Sequence, residues 1–319
     1  MKINHNISAL NAYRNLSNNN ITTSKNLEKL SSGLRINRAA DDAAGLAISE
    51  KMRSQIRGLD MAERNTLDAV SFVQIAEGGL SANHSLLQRM RELAVQAAND
   101  TNTETDRDAI QQEINELTKE VNRISNTTEF NTKKLLNGEL QTEGEAGAVD
   151  GSAPAVMQIG ANAGQTVSIE LKNMGALYLG ITNAGGGENS VTLSDGETEL
   201  DVVYTEIDIN EIEGGESQYA VDVSTHENAA AAITLFSDAI QRVSTERARL
   251  GAIQNRLEYT ADNLRYMSEN TTASESRIRD VDMALEMTAY TKNNILVQSA
   301  QAMLAQANQL PQGVLQLLK

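Results

Sequence analysis

Apolar side chains in the last 24 residues recur at alternating intervals of four and three positions, which is the spacing of one face of an α-helix. This stripe contains no charged residue and consists of Leu296, Ala300, Met303, Ala307, Leu310, Val314 and Leu317. A terminal helix of this kind has no core of its own, so its apolar face must pack against another segment or another molecule. The pattern therefore predicts a packing surface at the end of the chain.

The beginning of the chain carries a weaker helical pattern. Ile3, Ile7 and Leu10 keep the spacing, but the later apolar positions drift in phase and Asn and Ser fill the intervals. Helices in proteins owe most of their stability to a packed face, so this helix is marginal by itself. We expect residues 1–30 and 290–319 to have low helicity in a free chain and to order when copies of the chain cover them.

The most regular pattern runs from Leu59 to Ala97 and predicts one long helix, with Gly78-Gly79 as a soft point inside it. Its stripe is Leu59, Ala62, Thr66, Ala69, Val73, Ala76, Leu80, Asn83, Leu87, Met90, Ala94 and Ala97. The same spacing over residues 110–124 predicts an antiparallel return helix, capped by Thr105 or Asp106.

Helical spacing returns near residue 229 and lasts to about residue 264. Five apolar residues lie seven positions apart there: Phe236, Val243, Leu250, Leu257 and Leu264. The polar run 268–276 predicts a gap before the terminal helix. The two ends of the chain therefore mirror each other, with a weak stripe outermost and a strong helix inside it.

Residues 139–227 have a different character. They hold 17 acidic residues and one basic residue, Lys172, whereas the remaining 26 acidic and 26 basic residues cancel. Short β-branched or alternating runs predict strands at 166–171, 177–179, 190–193 and 200–209. An acidic, turn-rich segment between two helical arms is most simply an exposed outer module, and its charge repels nucleic acid.

The composition excludes several kinds of site. Cys is absent, which rules out disulfides and thiolate metal ligands. His226-Glu227 begins like the zinc-protease motif HExxH, but the second His is missing and the chain has only three His, so we expect no metal site. Clustered acids such as Glu211, Glu213 and Glu216 lack the spacing of a calcium loop. We expect no cofactor and no enzymatic activity.

The N-terminal sequence MKINHNISALNAYRNL has no uninterrupted apolar segment or small-residue cleavage site. We therefore expect no cleaved secretory signal. No window of eighteen apolar residues occurs, so membrane insertion is not expected either.

Three long motifs resemble bacterial flagellin, the subunit of the flagellar filament. They are LSSGLRINRAADDAAGLAISEKMRSQIRGL at 30–59, LLQRMRELAVQAAND at 86–100 and LAQANQLPQGVLQLLK at 304–319. The resemblance covers roughly residues 1–140 and 228–319. It implies a mainly α fold, a long antiparallel coiled-coil or helical rod formed by the N- and C-terminal arms, with a small β-rich acidic outer domain inserted between them.

The resemblance also implies a division of the chain into five segments. These are an N-terminal inner-core helix (1–40), two halves of a rod domain (41–138 and 228–277), a variable outer domain (139–227) and a C-terminal inner-core helix (278–319). In this interpretation the terminal residues pack in the filament core, namely Ile3, Ile7, Leu10, Leu296, Met303, Leu310, Val314 and Leu317.

By resemblance, the chain is an extracellular, self-assembling protein for swimming motility, exported by the flagellar type III apparatus without a cleaved signal peptide. Its partners would be other copies, an export chaperone, and the filament cap and hook-filament junction proteins. Host Toll-like receptors would contact Arg89, Leu93 and Glu113, although Arg89 and Glu113 could equally serve subunit packing. Intracellular sensors would read Leu315, Leu317 and Leu318, which could equally be core residues.

Two alternatives remain open from the sequence. The first is the related hook-filament junction protein, which shares the terminal helices but should not form extended polymers alone. The second, from a different class, is a flagellin whose insert carries an enzyme, although residues 140–225 show no convergent catalytic side chains.

Overall fold

The computed structural model describes residues 6–140, 153–183, 187–192, 199–208 and 218–317. The side chains of residues 187–192, 199–200, 206–208 and 310–317 lie outside this description. Within it the chain forms five helices: α1 (Ile7–Ser32), α2 (Ala43–Ala97), α3 (Glu104–Thr127), α4 (His226–Arg279) and α5 (Met283–Leu317). The chain divides into two compact units, Met1–Gly58 with Tyr266–Lys319, and Leu59–Arg265. The predicted five-segment division remains a prediction.

Local hydrogen bonds set the ends of the helices. Asn6 accepts a hydrogen bond from the Ala9 amide and begins α1, while Gly33 ends it with a left-handed φ of 72°. The predicted cap of α3 at Thr105 or Asp106 is wrong, because Thr103 is the N-cap. The Asp106 carboxylate accepts hydrogen bonds from the Thr103 hydroxyl and from the Thr103 backbone amide, and both bonds lower the pKa of this carboxyl. The bond from the Thr103 amide completes a capping box.

The long helix predicted from the stripe between Leu59 and Ala97 is confirmed. All twelve stripe residues of α2 are buried. Gly78-Gly79 does not interrupt the helix. A Cβ at Gly79 would lie 2.8 Å from Leu136 Cδ1 and 2.9 Å from Thr128 Oγ1, so this glycine permits close packing.

Helix α4 also buries its predicted stripe, but the predicted gap at 268–276 is wrong because the helix continues to Arg279. Side chains in this run donate hydrogen bonds to carbonyls one turn earlier, as Thr271 does to Met267 and Ser274 to Asn270. The run thus remains helical without the apolar periodicity that identifies the other helices in the sequence.

The middle of the chain forms eight strands among the described residues. They are β1 (Glu129–Phe130), β2 (Lys133–Lys134), β3 (Ala155–Gln158), β4 (Thr166–Ile169), β5 (Thr182–Asn183), β6 (Gly187–Thr192), β7 (Glu199–Asp208) and β8 (Tyr219–Val221). All pairings are antiparallel: β1 with β2, β3 with β4, and a four-stranded sheet in the order β5-β8-β7-β6.

Most of the predicted strands overlap observed ones. The strand predicted at 177–179 is wrong, because these residues form turns in which the Leu179 amide donates to Gly175 O and the Ile181 amide to Ala176 O. Gly180 has a φ of 78°, which an extended strand does not allow.

The strand region packs directly on the helices of the second unit. Its buried side chains join those of α2, α3 and α4 in one hydrophobic cluster. Two arginines of α4 reinforce this packing. Arg242 binds Asp238 at 2.7 Å and donates to Tyr178 O, while Arg249 binds Glu246 and donates to Glu170 O. The inner part of the acidic segment therefore shares the core of the helices.

Asn83 is a polar residue inside this core. It lies on the buried stripe of α2 between Leu80 and Leu87, and neither amide atom has a hydrogen-bond partner among the described residues. Leu has the same branched shape, so Asn83→Leu removes an unpaired polar group whose burial costs about 1–3 kcal/mol. We expect this variant to raise the free energy of unfolding by about 1 kcal/mol or more in urea titrations.

Thr66→Val is the matched control for Asn83→Leu. The Thr66 hydroxyl is equally buried but donates to Ala62 O at 2.7 Å, so its removal should give no gain. Loss of stability in Asn83→Leu would show that the amide has a partner.

Candidate self-assembly surface

Helices α1 and α5 form an antiparallel pair in the first unit. At one end the Asn6 amide donates to Ala307 O at 2.8 Å. Near the other, Asn26 faces Glu286 and Asn293. We assign its amide the orientation that satisfies both polar ends, in which it donates to Glu286 Oε1 at 3.1 Å and accepts from Asn293 Nδ2 at 3.0 Å. The start of α1 therefore faces the end of α5.

The seam between these two helices is poor in apolar side chains. On α1 the stripe of buried or half-buried residues that contains Asn26 is mostly small or polar, with two Leu among its members: Ala9, Ala12, Leu16, Asn19, Thr23, Asn26 and Leu30. Among the described side chains of the pair, the buried ones are Asn26, which is 7% exposed, and Ala307, which is 8% exposed. So little apolar burial gives weak support to helices that need a packed face.

Eleven large apolar side chains of the pair lie outside the seam, where solvent reaches them. They are Ile7, Leu10, Tyr13, Ile21 and Leu27 on α1, and Met283, Leu285, Met287, Ile295, Leu296 and Met303 on α5. We call these eleven residues the outer face. Helix α5 has only two charged residues in its 35, Glu286 and Lys292. A helix with so few charges and with apolar side chains on more than one side is typical of one that packs on more than one side.

Four predicted core-packing residues, Ile7, Leu10, Leu296 and Met303, belong to the outer face. The predicted C-terminal stripe is divided, because Ala300 and Ala307 turn toward α1 while Leu296 and Met303 do not. The backbones of Leu310, Val314, Leu315 and Leu317 belong to α5, with side chains outside the described part. Ile3 and Leu318 lie outside the described residues altogether.

Beyond the ends of the pair, two connections are joined by a short antiparallel bridge. Leu34 pairs with Asp280, and the Val281 amide donates to Gly33 O at 3.1 Å. Arg279 binds Glu50 at 2.6 Å, and this hydrogen bond lowers the pKa of the Glu50 carboxyl. These anchors are not among the predicted site residues. Glu50 and Arg279 are ordinary charged residues far apart in the chain, so their pairing gives no local signal.

The predicted receptor residues form a second site, on α2 and α3 in the second unit. Arg89 binds Glu113 Oε1 through Nε at 3.0 Å and Nη2 at 2.8 Å, and this pairing raises the pKa of the guanidinium. Both side chains are about half exposed. Leu93 is 2% exposed and belongs to the core. Of the three predicted residues, Arg89 and Glu113 are therefore the ones whose side chains are available to a partner.

The described residues contain no group of three or more His, Asp or Glu side chains arranged to hold a metal ion. Within the same residues, none of the helices has the length and apolar character needed to cross a membrane.

Two family models match the chain. The bacterial flagellin N-terminal helical region matches residues 3–141, and the bacterial flagellin C-terminal helical region matches residues 233–318. Flagellin of Bacillus subtilis (strain 168) is 53% identical over an alignment of 327 positions that covers the whole of both chains. The flagellar filament 33 kDa core protein of Treponema phagedenis is 44% identical, again over the whole of both chains.

A solved structure supports the fold. Flagellar hook associated protein-3 from Legionella pneumophila has a TM-score of 0.50 at 14% sequence identity, covering 72% of this chain and 98% of its own. This likeness concerns the fold alone. The full-length identity to flagellins favours a filament subunit over a hook-filament junction protein and over an enzyme. The chain belongs to the bacterial flagellin family and is a structural subunit of the flagellar filament.

Proposed function

We propose that the outer face of α1 and α5 is the surface through which this subunit polymerises, with copies of the same chain covering it in the filament. The observation that carries the proposal is the contrast between eleven exposed large apolar side chains and a seam that fully buries Asn26 and Ala307. Burying one large apolar side chain contributes about 1.5–3 kcal/mol. Neighbouring copies therefore supply the apolar contact that the seam lacks.

In this proposal α1 and α5 become stable helices only on assembly. Coupled folding and binding is typical of segments that lack enough apolar contact alone. An unfolded terminus also suits passage through a narrow channel. The proposal therefore includes export of the subunit by the type III route without a cleaved signal. An export chaperone would cover the C-terminal helix before secretion, and the cap and hook-filament junction proteins would contact the same surface at the ends of the filament.

Cysteine labelling tests the polymerisation surface, because the chain contains no Cys of its own. Single variants Leu10→Cys and Met303→Cys would be treated with a water-soluble maleimide, as free subunits and as assembled filaments. We expect rapid labelling of free subunits and at least a hundredfold slower labelling in filaments. Val156→Cys is the control, since Val156 is an exposed residue of β3 in the acidic segment and should react in both states.

Equal labelling of Met303→Cys in subunits and in filaments would contradict the proposal. Labelling also reports on assembly itself, because a variant that forms no filament identifies its position as necessary for polymerisation.

A second proposal concerns host receptors of the Toll-like class. The Arg89–Glu113 pair offers an exposed cation and anion on two adjacent helices, and Arg is a residue type that often dominates protein interfaces. We expect Arg89→Ala and Glu113→Ala each to weaken receptor activation by monomer at least tenfold in a reporter-cell assay.

Arg91→Ala is the matched control for the receptor proposal. Arg91 lies on the same helix but donates to Ser237 at 3.0 Å, so its loss should leave activation within twofold. Equal losses in all three variants would assign the effect to folding. The C-terminal residues Leu315, Leu317 and Leu318 remain proposed contacts of intracellular sensors.

A further inference from the structure

Methionines are unevenly distributed over the described residues. Met90 and Met174 are buried in the second unit, and Met61 is its exposed methionine. The first unit carries the other exposed ones: Met267, Met283, Met287 and Met303. Three of these lie on the nearly uncharged helix α5 and belong to the outer face. The most exposed of the three is Met303, at 62%.

We propose that Met283, Met287 and Met303 are an oxidation site that controls assembly: their conversion to sulfoxides by a peroxide prevents a free subunit from joining a filament. The inference rests on the polymerisation surface proposed above. It adds a modification site and a form of regulation that polymerisation by itself does not require.

The chemistry is a two-electron oxygen transfer from hydrogen peroxide. A lone pair on the Met Sδ attacks one peroxide oxygen, an S–O bond forms and the O–O bond breaks. The departing oxygen takes up a proton and leaves as water. Sulfur is oxidised by two electrons and the peroxide is reduced by two. Access of solvent to sulfur governs the rate, and each of the three side chains is about half exposed or more.

Oxidation changes what the outer face presents to a neighbouring copy. The thioether is apolar and adapts its shape to a partner, whereas the sulfoxide is a strong hydrogen-bond acceptor. Met283 and Met287 lie one turn apart at the beginning of α5. Met303 lies near its other end, seven residues after Leu296 on the same side of the helix. Oxidation therefore changes the outer face at two places along α5. Burial of a polar group without a hydrogen-bond partner is unfavourable, and an oxidised subunit would bury three sulfoxides on assembly.

Oxidation of the three methionines is confined to free subunits, because assembly covers the outer face. Once copies cover the outer face, peroxide no longer reaches the sulfur atoms. A growing filament would therefore exclude oxidised subunits, while subunits already incorporated would stay reduced.

Partial oxidation of the natural chain tests this without any variant. Free subunits would be treated with limiting hydrogen peroxide, quenched, and added to filament seeds. After sedimentation, peptide mass spectrometry would give the sulfoxide fraction at each methionine in the pellet and in the supernatant. We expect sulfoxide at Met283, Met287 and Met303 to be depleted at least tenfold in the pellet. Sulfoxide at Met61, which is 52% exposed on α2, should be distributed equally.

A triple variant supplies the second arm. Leu replaces Met with little change in volume and cannot be oxidised. After full oxidation, the wild-type chain and the Met61→Leu variant should each have a critical concentration for polymerisation at least tenfold higher than before oxidation. Treatment with methionine sulfoxide reductases should restore the original critical concentration. The variant Met283→Leu/Met287→Leu/Met303→Leu should stay within twofold of its untreated value.

Equal sulfoxide fractions in pellet and supernatant at the three positions would overturn the inference. Equal depletion at Met61 would do so as well, because it would indicate a general effect of oxidation. The outcome is separable from that of the polymerisation proposal. If the thiol of Met303→Cys is protected from maleimide in filaments while the sulfoxide fractions are equal in pellet and supernatant, only the oxidation site is rejected. If that thiol reacts freely in filaments, the surface itself is rejected.

Discussion

Leu296→Asp subunits are expected not to elongate filament seeds at concentrations at which the wild-type chain polymerises fully. Leu296 lies on the outer face of α5, away from the seam with α1, so the substitution leaves the free subunit largely unaffected. In a filament the carboxylate would be buried against apolar side chains without a partner, which costs several kcal/mol. We expect a critical concentration at least a hundredfold higher, measured by seeded light scattering and electron microscopy.

Leu296→Met is the matched control, because it keeps the apolar character and nearly the volume of the side chain. It should elongate seeds at a rate close to that of the wild-type chain. Far-ultraviolet circular dichroism and thermal unfolding of both variants should agree with the wild-type free subunit. Normal filaments from Leu296→Asp would show that this face is not covered by copies.

Phe236→Ala should have the largest effect on stability. Phe236 is fully buried on α4, in the cluster that joins α2, α3, α4 and the strand region. Its truncation removes apolar contacts and leaves a cavity, which costs about 3–5 kcal/mol. We expect a lower urea midpoint for the second unit, measured by circular dichroism.

Tyr259→Ala provides the comparison on the same helix. Tyr259 is exposed, and surface substitutions usually change stability by no more than about 0.5 kcal/mol. If Phe236→Ala and Tyr259→Ala unfolded at the same urea concentration, the cluster around Phe236 would not be the core of this unit.

The helices of the second unit could be predicted because burial there is one-sided and regular. Each turn of α2 from Leu59 to Ala97 presents an apolar or small residue to the core, so the three-and-four spacing identifies the buried face directly. The same signal located α4 from Phe236 to Leu264. It failed beyond Leu264, where side-chain hydrogen bonds and charged pairs accompany the helix instead of an apolar stripe.

The terminal helices show what apolar periodicity does not reveal. It indicated that Leu296 and Ala307 belong to one stripe, but not which of them turns toward α1. The buried positions of the seam are Asn26 and Ala307, whereas eleven large apolar side chains of the two helices are exposed. A sequence that must pack on several sides has apolar residues on several sides, so its own partner helix cannot be identified from spacing alone.

The strand region was predictable in kind but not in detail. Alternating or β-branched runs located β4, β6 and β7, while β5 and β8, with two and three residues, are too short for an alternation to stand out. The sequence of β3, Ala-Val-Met-Gln, does not alternate between apolar and polar residues. The turn at 177–179 resembled a strand because Leu177 and Leu179 alternate with Tyr178, and the burial of Leu179 satisfies that pattern equally well in a turn.

Amide hydrogen exchange tests most directly whether copies of the chain complete α1 and α5. Exchange would be followed by mass spectrometry on free subunits and on filaments of the same preparation, with peptides from the buried part of α2 as an internal reference. We expect peptides of α1 and α5 to exchange within seconds in free subunits and at least a thousandfold more slowly in filaments, while the α2 peptides stay protected in both. Equal, strong protection of α1 and α5 in both states would contradict the account.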